Sequence, residues 1–310
     1  MRLLPYPSLP PLGQRLQLAL LEDCARAGDL TSAALIPASC IAQGVILAKG
    51  EGVVCGVRLL EPLFGAAARL LAERDRDFRR LRRTRVAVLR LKPDGARVRP
   101  GDRVARLVGP ARALLLGERT ALNLLGRLSG VATLTARFVR AVAGTKAGIF
   151  DTRKTAPLWR DLDKYAVRCG GGHNHRRGLH DMVLIKDNHL ELWGACDPAA
   201  AVRAAQARFP GLAVEIEVTS LTGLRQVCAG SRPKLVLLDN FTPAGVRQAV
   251  AWRRSFFRGR AGRPVLEASG GITLANARAL ARAGAERLAI GALTHSAPAL
   301  DLSLEIAPRR

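Results

Sequence analysis

The stretch AVEIEVTSLTGLRQVCAGSRPKLVLLDN, residues 213–240, decides the fold because it contains a strand, a helix and a second strand in its pattern. An apolar run at 213–218 is followed by helical spacing over 221–229 and by another apolar run at 235–238. This alternation predicts repeated βα units and therefore a parallel sheet or barrel. Further runs lie at 148–150, 182–185, 265–268 and 287–290, and further helical segments at 161–169, 198–209, 243–253 and 274–283.

The first third of the chain has a mixed α+β pattern instead. Helical spacing covers 12–27 and 58–72, and glycine-containing turns between apolar runs predict hairpins over 45–55 and 97–108. A long helical pattern then runs over 111–142, with an expected break near Ser129 and Gly130.

The chain is strongly basic. Its 310 residues include 49 Lys and Arg against 25 Asp and Glu, which gives a formal net charge of +24, and 42 of the 49 are Arg. Such a balance raises the question of nucleic-acid binding. Aromatic residues make up only 4%, too few for a base-stacking platform, and no zinc-finger spacing is present. We therefore attribute the arginine to general composition and expect no nucleic-acid partner.

Cysteine usage and hydropathy favour a cytoplasmic protein. The six cysteines are irregularly spaced and form no CxxC pair, which predicts reduced thiols. Residues 1–16 lack the apolar core and cleavage site of a signal peptide. No uncharged apolar stretch reaches the roughly 18 residues that a membrane helix needs, so we expect no membrane partner.

Charged or glycine-rich residues lie in or directly after each of the six apolar runs. In a parallel barrel every strand ends at the same rim, and that rim builds the active site. The sequence therefore predicts that these residues meet in one pocket. They are Asp151–Lys154, Lys186–Asn188, Glu215 and Glu217, Asp239 and Asn240, Ser269–Gly271, and Gly291 and Ala292.

Two glycine turns and two acids predict the chemistry of the later strands. Ser269–Gly271 leads into a helical segment, where backbone N–H groups cradle a phosphate unless the segment is only a tight turn. A second turn at Gly291 favours the phosphate, because late-strand turns hold phosphates in barrels. Glu217 and Asp239 suit ribose hydroxyls, Mg²⁺ or a cationic reaction centre, or else pair with a cation of the protein. Periodicity alone does not separate Glu217 from Glu215.

Residues 151–189 concentrate positive charge, with eight Lys and Arg and four of the five histidines of the chain. Arginine grips carboxylates and phosphates through two parallel hydrogen bonds, so the segment suits a small polyanion. The predicted anion clamp consists of Arg153, Lys154, His175 and Arg176. The alternative is zinc ligation by His173, His175 and His189, which the neighbouring arginines disfavour because they repel a cation.

These motifs resemble those of the quinolinate phosphoribosyltransferase family, and they occur in the family's order along nearly the whole chain. They are ERTALN (118–123), LSG (128–130), DTRKT (151–155), KY (164–165), GGG (170–172), NHR (174–176), LIKDNH (184–189), EIE (215–217), LDN (238–240), EASGGI (267–272), LTHS (293–296) and LD (300–301).

The resemblance implies a reaction and a fold. Quinolinate would attack the anomeric carbon of phosphoribosyl pyrophosphate, pyrophosphate and carbon dioxide would leave, and nicotinate mononucleotide would form for NAD biosynthesis, with Mg²⁺ as cofactor. The implied fold is an α/β protein, an open parallel α/β barrel of six or seven strands with an N-terminal α+β domain. We place that domain at 1–118 and the barrel at 119–295, with a tail of about 296–310 returning to the first domain. Family members form homodimers with shared active sites.

The resemblance also implies roles for individual residues. Quinolinate would be bound by Thr152, Arg153, Lys154, His175, Arg176 and, from the partner subunit, Arg119. Phosphoribosyl pyrophosphate would be bound by Lys186, Glu217, Asp239, Ser269, Gly270, Gly271, Ile290, Gly291 and Ala292. The catalytic residues would be Lys154, Lys186, Glu217 and Asp239, and the two acids among them would hold the metal. A related protein linked to molybdenum transport is an alternative within the fold, which the intact NHR and LIKDNH segments disfavour.

Overall fold

The computed structural model describes residues 12–80, 85–194 and 197–309, which fold into two compact units. Unit 1 comprises the described residues of Met1–Leu134, Arg168–Gly170 and Ala297–Arg310. Unit 2 comprises Thr135–Val167 and the described residues of Gly171–Ser296. No helix in these three ranges is long and apolar enough to cross a membrane.

Helices and strands alternate along most of the chain. The α-helices are α1 (Leu12–Cys24), α2 (Leu30–Leu35), α3 (Leu60–Arg74), α4 (Arg76–Arg79), α5 (Ala111–Ala141), α6 (Arg160–Cys169), α7 (Asp187–Trp193), α8 (Pro198–Arg208), α9 (Leu221–Gly230), α10 (Pro243–Phe256), α11 (Ala277–Arg282) and α12 (Ala292–His295). The strands are β1 (Ile41–Ala48), β2 (Gly52–Val53), β3 (Ala87–Arg90), β4 (Arg97–Val98), β5 (Arg103–Pro110), β6 (Gly148–Phe150), β7 (Val183–Ile185), β8 (Val214–Val218), β9 (Leu235–Asp239), β10 (Val265–Ser269), β11 (Arg287–Ala289) and β12 (Leu302–Pro308). A short 3₁₀ helix, Val57–Leu59, precedes α3.

Unit 1 contains a four-stranded antiparallel sheet in the order β12-β1-β5-β3. In the register, Ile46 of β1 lies opposite Leu304 of β12 and Ala105 of β5. The two predicted hairpins are wrong, because β1 does not pair with β2 and β4 does not pair with β5. Instead β2 and β4 form a separate two-stranded sheet. The turns were placed correctly, but the partners of each strand are set by distant parts of the chain.

Helix α5 runs without interruption through the break predicted near Gly130, so that prediction is wrong. A Cβ atom built on Gly130 would overlap the carbonyl oxygen of Pro298, and one built on Gly126 would lie 3.1 Å from the carbonyl oxygen of Leu300. These glycines therefore permit close approach of another backbone segment and do not end the helix. The predicted domain boundary at 118/119 falls within this helix, whereas the two compact units divide at 134/135.

Unit 2 contains a six-stranded parallel sheet in the order β6-β11-β10-β9-β8-β7. From β7 to β11 each neighbour is the next strand along the chain, whereas β6 pairs with β11, and the sheet opens between β6 and β7. An isolated parallel bridge joins Phe150 of β6 to His173, which extends the β6 edge by one pairing. The predicted α/β fold with an open parallel barrel is confirmed, and the six predicted runs match the six strands to within one residue at each end.

Side-chain caps fix where helices α9 and α10 of unit 2 begin. They thereby also fix where the preceding strands end. The Ser220 hydroxyl accepts a hydrogen bond from the N–H of Gly223 at 3.1 Å, and α9 starts directly after it. The Thr242 hydroxyl accepts from Gly245 in the same way before α10. Such caps satisfy N–H groups that the first helical turn leaves unpaired. The strand ends that carry polar residues are thereby held in place.

The substitution Gly130→Ala tests the close packing of α5. In an open helical position this change adds up to about 1 kcal/mol of stability. Here we expect a loss in the free energy of unfolding, because the new methyl group would overlap Pro298. The matched control is Gly65→Ala in α3, where only the flexible Arg69 side chain lies nearby, at 3.6 Å. Urea denaturation measures the free energy of unfolding of both variants. A Gly130→Ala protein that is more stable than the wild type would contradict the close packing of α5 against Pro298.

Candidate active site

A cavity of about 660 Å³ lies at the carboxyl ends of the parallel strands of unit 2. All six strands deliver residues to it, because every strand of a parallel barrel ends at the same rim. Fourteen of the fifteen predicted site residues line it: Thr152, Arg153, Lys154, His175, Arg176, Lys186, Glu217, Asp239, Ser269, Gly270, Gly271, Ile290, Gly291 and Ala292. The fifteenth, Arg119, lies in unit 1 on α5 with its side chain exposed.

A buried ion pair supports the cationic side of the cavity. Lys164 Nζ lies 2.5 Å from Asp151 Oδ1, and the two side chains are 4% and 0% exposed. Burial raises the pKa of Asp151 and lowers the pKa of Lys164, although their mutual attraction opposes both shifts. Lys164 is therefore a structural cation rather than one that faces the cavity. Neither group lines the cavity described above.

Asp151 also holds the loop that carries His175 and Arg176. Its Oδ1 atom accepts the N–H of His175 at 2.9 Å, and its Oδ2 atom accepts the side-chain amide of Asn174 at 2.5 Å. Lys164 donates in turn to the carbonyl oxygen of His175 at 3.0 Å. One carboxylate at the end of β6 thus fixes both segments that supply the predicted clamp.

The ring of His175 is engaged on both nitrogens. Nδ1 accepts the N–H of Arg176 at 2.8 Å, so Nε2 carries the proton. Nε2 lies 3.0 Å from Glu215 and 3.1 Å from Glu267, and Glu267 lies 2.6 Å from Arg287 Nε. Burial alone would lower the pKa of His175, but the hydrogen bonds that Nε2 donates to the two carboxylates, together with their negative charges, outweigh it and raise the pKa to about 9. The Nε2 proton is thus fixed between the two carboxylates, and uptake of a second proton at Nδ1 requires the Arg176 N–H to move away.

This geometry bears on the zinc alternative. His175, Glu215 and Glu267 are close enough to share a metal ion. A ring that accepts an N–H at Nδ1 keeps its proton on Nε2, which leaves no lone pair for a metal. The other two histidines are engaged elsewhere: His173 stacks on Phe150 at 5.0 Å, and His189 Nδ1 accepts the N–H of Lys186 at 2.9 Å. These contacts favour the anion clamp over zinc ligation.

The two arginines of the clamp lie close enough for the charge of one to act on the other. Arg176 Nη1 donates to the carbonyl oxygen of Met182 at 3.2 Å. Burial lowers the pKa of Arg176, and the charge of Arg153 lowers it further. Among the described residues, Arg153 Nε is buried and has no hydrogen-bond partner. A ligand oxygen in the cavity would satisfy this donor.

Acids occupy the opposite half of the cavity. Lys186 Nζ lies 2.5 Å from Glu217 Oε2, so the two opposite charges pair within the cavity. Asp239 Oδ2 accepts the side-chain amide of Asn240 at 2.9 Å. Glu217 lines the cavity, whereas Glu215 is fully buried beneath it, so the structure separates two acids that periodicity did not. Carboxylate oxygens are the ligands that Mg²⁺ prefers, so Glu217 and Asp239 fit the implied ion.

The glycine turn after β10 differs from its prediction in one respect. Helix α11 begins only at Ala277 and has six residues, so Ser269–Gly271 is not followed directly by a helix N-terminus. Gly270 and Gly271 have φ angles of +85° and +56°, which glycine adopts without strain. The N–H of Thr273 donates to Asn276 Oδ1 at 2.8 Å. A phosphate there would meet the N–H groups of the turn itself, a backbone concavity of the kind that binds anions.

Seven further residues line the cavity and were not predicted as site residues: Leu184, Leu237, Glu267, Ile272, Thr273, Ala289 and His295. Glu267 had a signal, since it is a carboxylate inside an apolar run and shares a strand face with Ser269 two residues later. His295 lies one helical turn after Gly291, and its Nε2 atom lies near Gly291. The Thr294 hydroxyl donates to the carbonyl oxygen of Lys154 at 2.7 Å, which ties α12 to the clamp.

Two family models match the chain and together span most of it. The model described as Quinolinate phosphoribosyl transferase, N-terminal domain, matches residues 29–129. The model described as Quinolinate phosphoribosyl transferase, C-terminal domain, matches residues 131–305.

Individual proteins are similar over the same length. The chain is 42% identical to nicotinate-nucleotide pyrophosphorylase (carboxylating) of Mycobacterium leprae (strain TN), over 93% of this chain and 94% of that protein. It is 37% identical to the Rattus norvegicus protein of that name, over 93% and 88%. The structure of the nicotinate-nucleotide pyrophosphorylase from Francisella tularensis superposes with a TM-score of 0.79 at 33% identity, covering 95% of each chain. NadC from Streptococcus pyogenes gives 0.83 at 32% identity, covering 98% of this chain and 100% of that one.

The substitution Lys164→Met tests the ion pair under the clamp. It leaves the Asp151 carboxylate buried without its cation, which costs about 3–5 kcal/mol in the free energy of unfolding. The matched control is Lys49→Met, which breaks an ion pair with Glu305 whose side chains are 45% and 62% exposed. That pair contributes at most about 1 kcal/mol. Equilibrium urea denaturation measures the free energy of unfolding of both variants. Equal decreases would show that the buried ion pair contributes no more to stability than the exposed one.

Proposed function

The chain belongs to the quinolinate phosphoribosyltransferase family, and from that premise we propose that the cavity of unit 2 is its active site. The enzyme transfers the phosphoribosyl group of phosphoribosyl pyrophosphate to quinolinate with loss of carbon dioxide, a pentosyl transfer in NAD biosynthesis. The observation that carries the assignment is the convergence of fourteen predicted site residues, from all six strands, on one cavity. The family supports this reaction rather than the molybdenum-linked alternative.

Quinolinate binds on the cationic side of the cavity in this proposal. It carries two carboxylates on adjacent ring carbons and requires several donors in fixed positions. Arg153 and Arg176 supply planar guanidinium groups, and Lys154 supplies a mobile ammonium group, since its side chain is exposed. The buried, unpaired Nε of Arg153 supports a carboxylate partner. Thr152 and His175 complete the set, with His175 holding the backbone of Arg176 through Nδ1.

Phosphoribosyl pyrophosphate binds on the opposite side. The Ser269–Gly271 turn and the Ile290–Ala292 turn hold the 5-phosphate through backbone N–H groups, except that the Ile290 N–H already donates to the carbonyl oxygen of Phe150. Lys186 meets the pyrophosphate, which requires it to exchange Glu217 for a substrate oxygen. Glu217 and Asp239 then hold the ribose hydroxyls or Mg²⁺, whose role when bound is to neutralise pyrophosphate charge.

The residues act by alignment and electrostatics, because the reaction needs no covalent nucleophile from the protein. The ring nitrogen of quinolinate forms a bond to the anomeric carbon as the bond to pyrophosphate breaks. Positive charge that develops on the ribose faces Glu217 and Asp239. After transfer, the ring nitrogen is positively charged and stabilises the electron pair that departing carbon dioxide leaves on the neighbouring carbon. That carbon then takes up one proton.

Further features of the enzyme are proposed from the family resemblance. We propose a homodimer in which Arg119 of the partner subunit completes the quinolinate site, and the exposure of Arg119 on α5 is compatible with that role. A cytoplasmic location is supported by the free thiols of Cys24, Cys40, Cys55, Cys169 and Cys228.

The substitution Lys154→Ala tests the clamp. We expect kcat/KM to fall by an amount equivalent to about 2–4 kcal/mol, the scale for removing one aimed charged donor. Formation of nicotinate mononucleotide from quinolinate, phosphoribosyl pyrophosphate and Mg²⁺ is the measurement, and removing the metal with a chelator should abolish it. Lys92→Ala, in a surface ion pair of unit 1, is the control and should keep full activity. Near-normal turnover by Lys154→Ala would remove that residue from the mechanism.

Mixed dimers test the shared site. Arg119→Ala and Lys154→Ala are each expected to be nearly inactive as homodimers. Co-expression with two different tags yields a mixed dimer, in which one site carries both substitutions and the other carries neither. Activity should therefore return in the doubly purified mixed dimer. A mixed dimer as inactive as its parents would exclude a site built from two subunits.

A further inference from the structure

Asn240 has a backbone conformation that few residues adopt. It follows the last residue of β9 and has a φ angle of +56°. Among the described residues other than glycine, only Ala25 and Leu158 share a positive φ. Asn, Asp and Gly tolerate this region best, because most side chains with a Cβ atom crowd the following carbonyl oxygen. The choice of residue at this position is therefore narrow.

The side chain of Asn240 contacts two parts of the cavity at once. Its Nδ2 atom donates to Asp239 Oδ2 at 2.9 Å. Its Oδ1 atom lies against Gly270, where a Cβ atom would overlap it. The backbone N–H of Asn240 also donates to the carbonyl oxygen of Ser269 at 2.9 Å. A single residue thus joins the acid at the end of β9 to the glycine turn at the end of β10.

We propose that Asn240 is a positioning residue that sets the distance and orientation between Asp239 and the Gly270 turn. The inference rests on the proposed function, in which Asp239 binds the ribose hydroxyls or the metal and the Gly270 turn binds the 5-phosphate. The amide occupies one oxygen of Asp239, which leaves the other oxygen for a ribose hydroxyl or the metal. The left-handed backbone is what brings the same amide group against both partners.

The arrangement also explains why the turn carries glycine at 270. Gly270 has a φ angle of +85°, and the space where its Cβ would stand is filled by Asn240 Oδ1. Any larger residue at 270 would displace the amide and, with it, the hydrogen bond to Asp239. The residues at positions 240 and 270 therefore depend on each other. A substitution at either position should weaken the binding of phosphoribosyl pyrophosphate.

Two substitutions at Asn240 separate its contacts. Asn240→Gly keeps the left-handed backbone and removes the side chain. Asn240→Asp keeps an oxygen against Gly270, removes the donor to Asp239 and adds a like charge beside it. We expect KM for phosphoribosyl pyrophosphate to rise about tenfold in the first, because a charged acceptor loses its donor, and further in the second, because a like charge is added beside Asp239. Quinolinate binding, measured by calorimetry, should stay within about twofold of wild type because its clamp lies on other segments.

A double-mutant cycle tests the dependence between the two positions. Gly270→Ala should impair use of phosphoribosyl pyrophosphate strongly in the wild-type background and less in the Asn240→Gly background, where the overlapping oxygen is absent. The strain of φ at residue 270 is common to both arms and cancels. Additive effects, or an Asn240→Gly enzyme with wild-type KM and kcat, would overturn the inference.

Two controls keep the outcomes distinct. Ala25→Gly relaxes another left-handed residue, in unit 1, and should leave all kinetic constants unchanged. If Ala25→Gly and Asn240→Gly changed the kinetic constants equally, relaxation of the backbone alone would explain the result and the inference would fail. Asp239→Asn reports on the proposed function itself. If it loses activity while Asn240→Gly does not, the inference fails and the active site stands. If Asp239→Asn retains full activity, the assignment of the active site fails.

Discussion

Like charges must be held close together in this cavity before any anion arrives, and buried carboxylates make that possible. Asp151 balances Lys164 and fixes the loop of His175, while Glu267 faces both His175 and Arg287. Both acids are buried, so water screens their attraction to the neighbouring cations less than it would at the surface. The clamp is therefore preorganised, although burying charged groups costs free energy. Ion pairs within unit 2 offset part of that cost.

Much of unit 2 was predictable because its information is local. A strand buried on two faces gives a nearly uninterrupted apolar run, which can be recognised in the sequence. The six runs therefore marked the six strands, and the parallel topology then placed their ends together. Arg153, Glu217 and Gly270 could be assigned to one cavity without knowledge of any distance.

The remaining features depend on contacts between residues far apart in sequence. The hairpins of unit 1 were wrong because the partners of β1, namely β5 and β12, are not its neighbours in the chain. Gly130 was mistaken for a helix break because its packing partner, Pro298, lies far along the sequence. The cation count of residues 151–189 includes Lys164, and the sequence does not show that this lysine is buried in an ion pair with Asp151. Propensity cannot report which backbone will approach a given residue.

The pairing of β12 with β1 has a consequence for how the protein is made. Residues 302–308 leave the ribosome after all of unit 2, yet they form the edge of a sheet whose centre was synthesised near the start. During translation β1 can pair with β5 but keeps its other edge unpaired. An open strand edge is a template for association with other chains. Strand β12 therefore closes an edge of β1 that cannot be paired by β12 until the last residues of the sheet have been made.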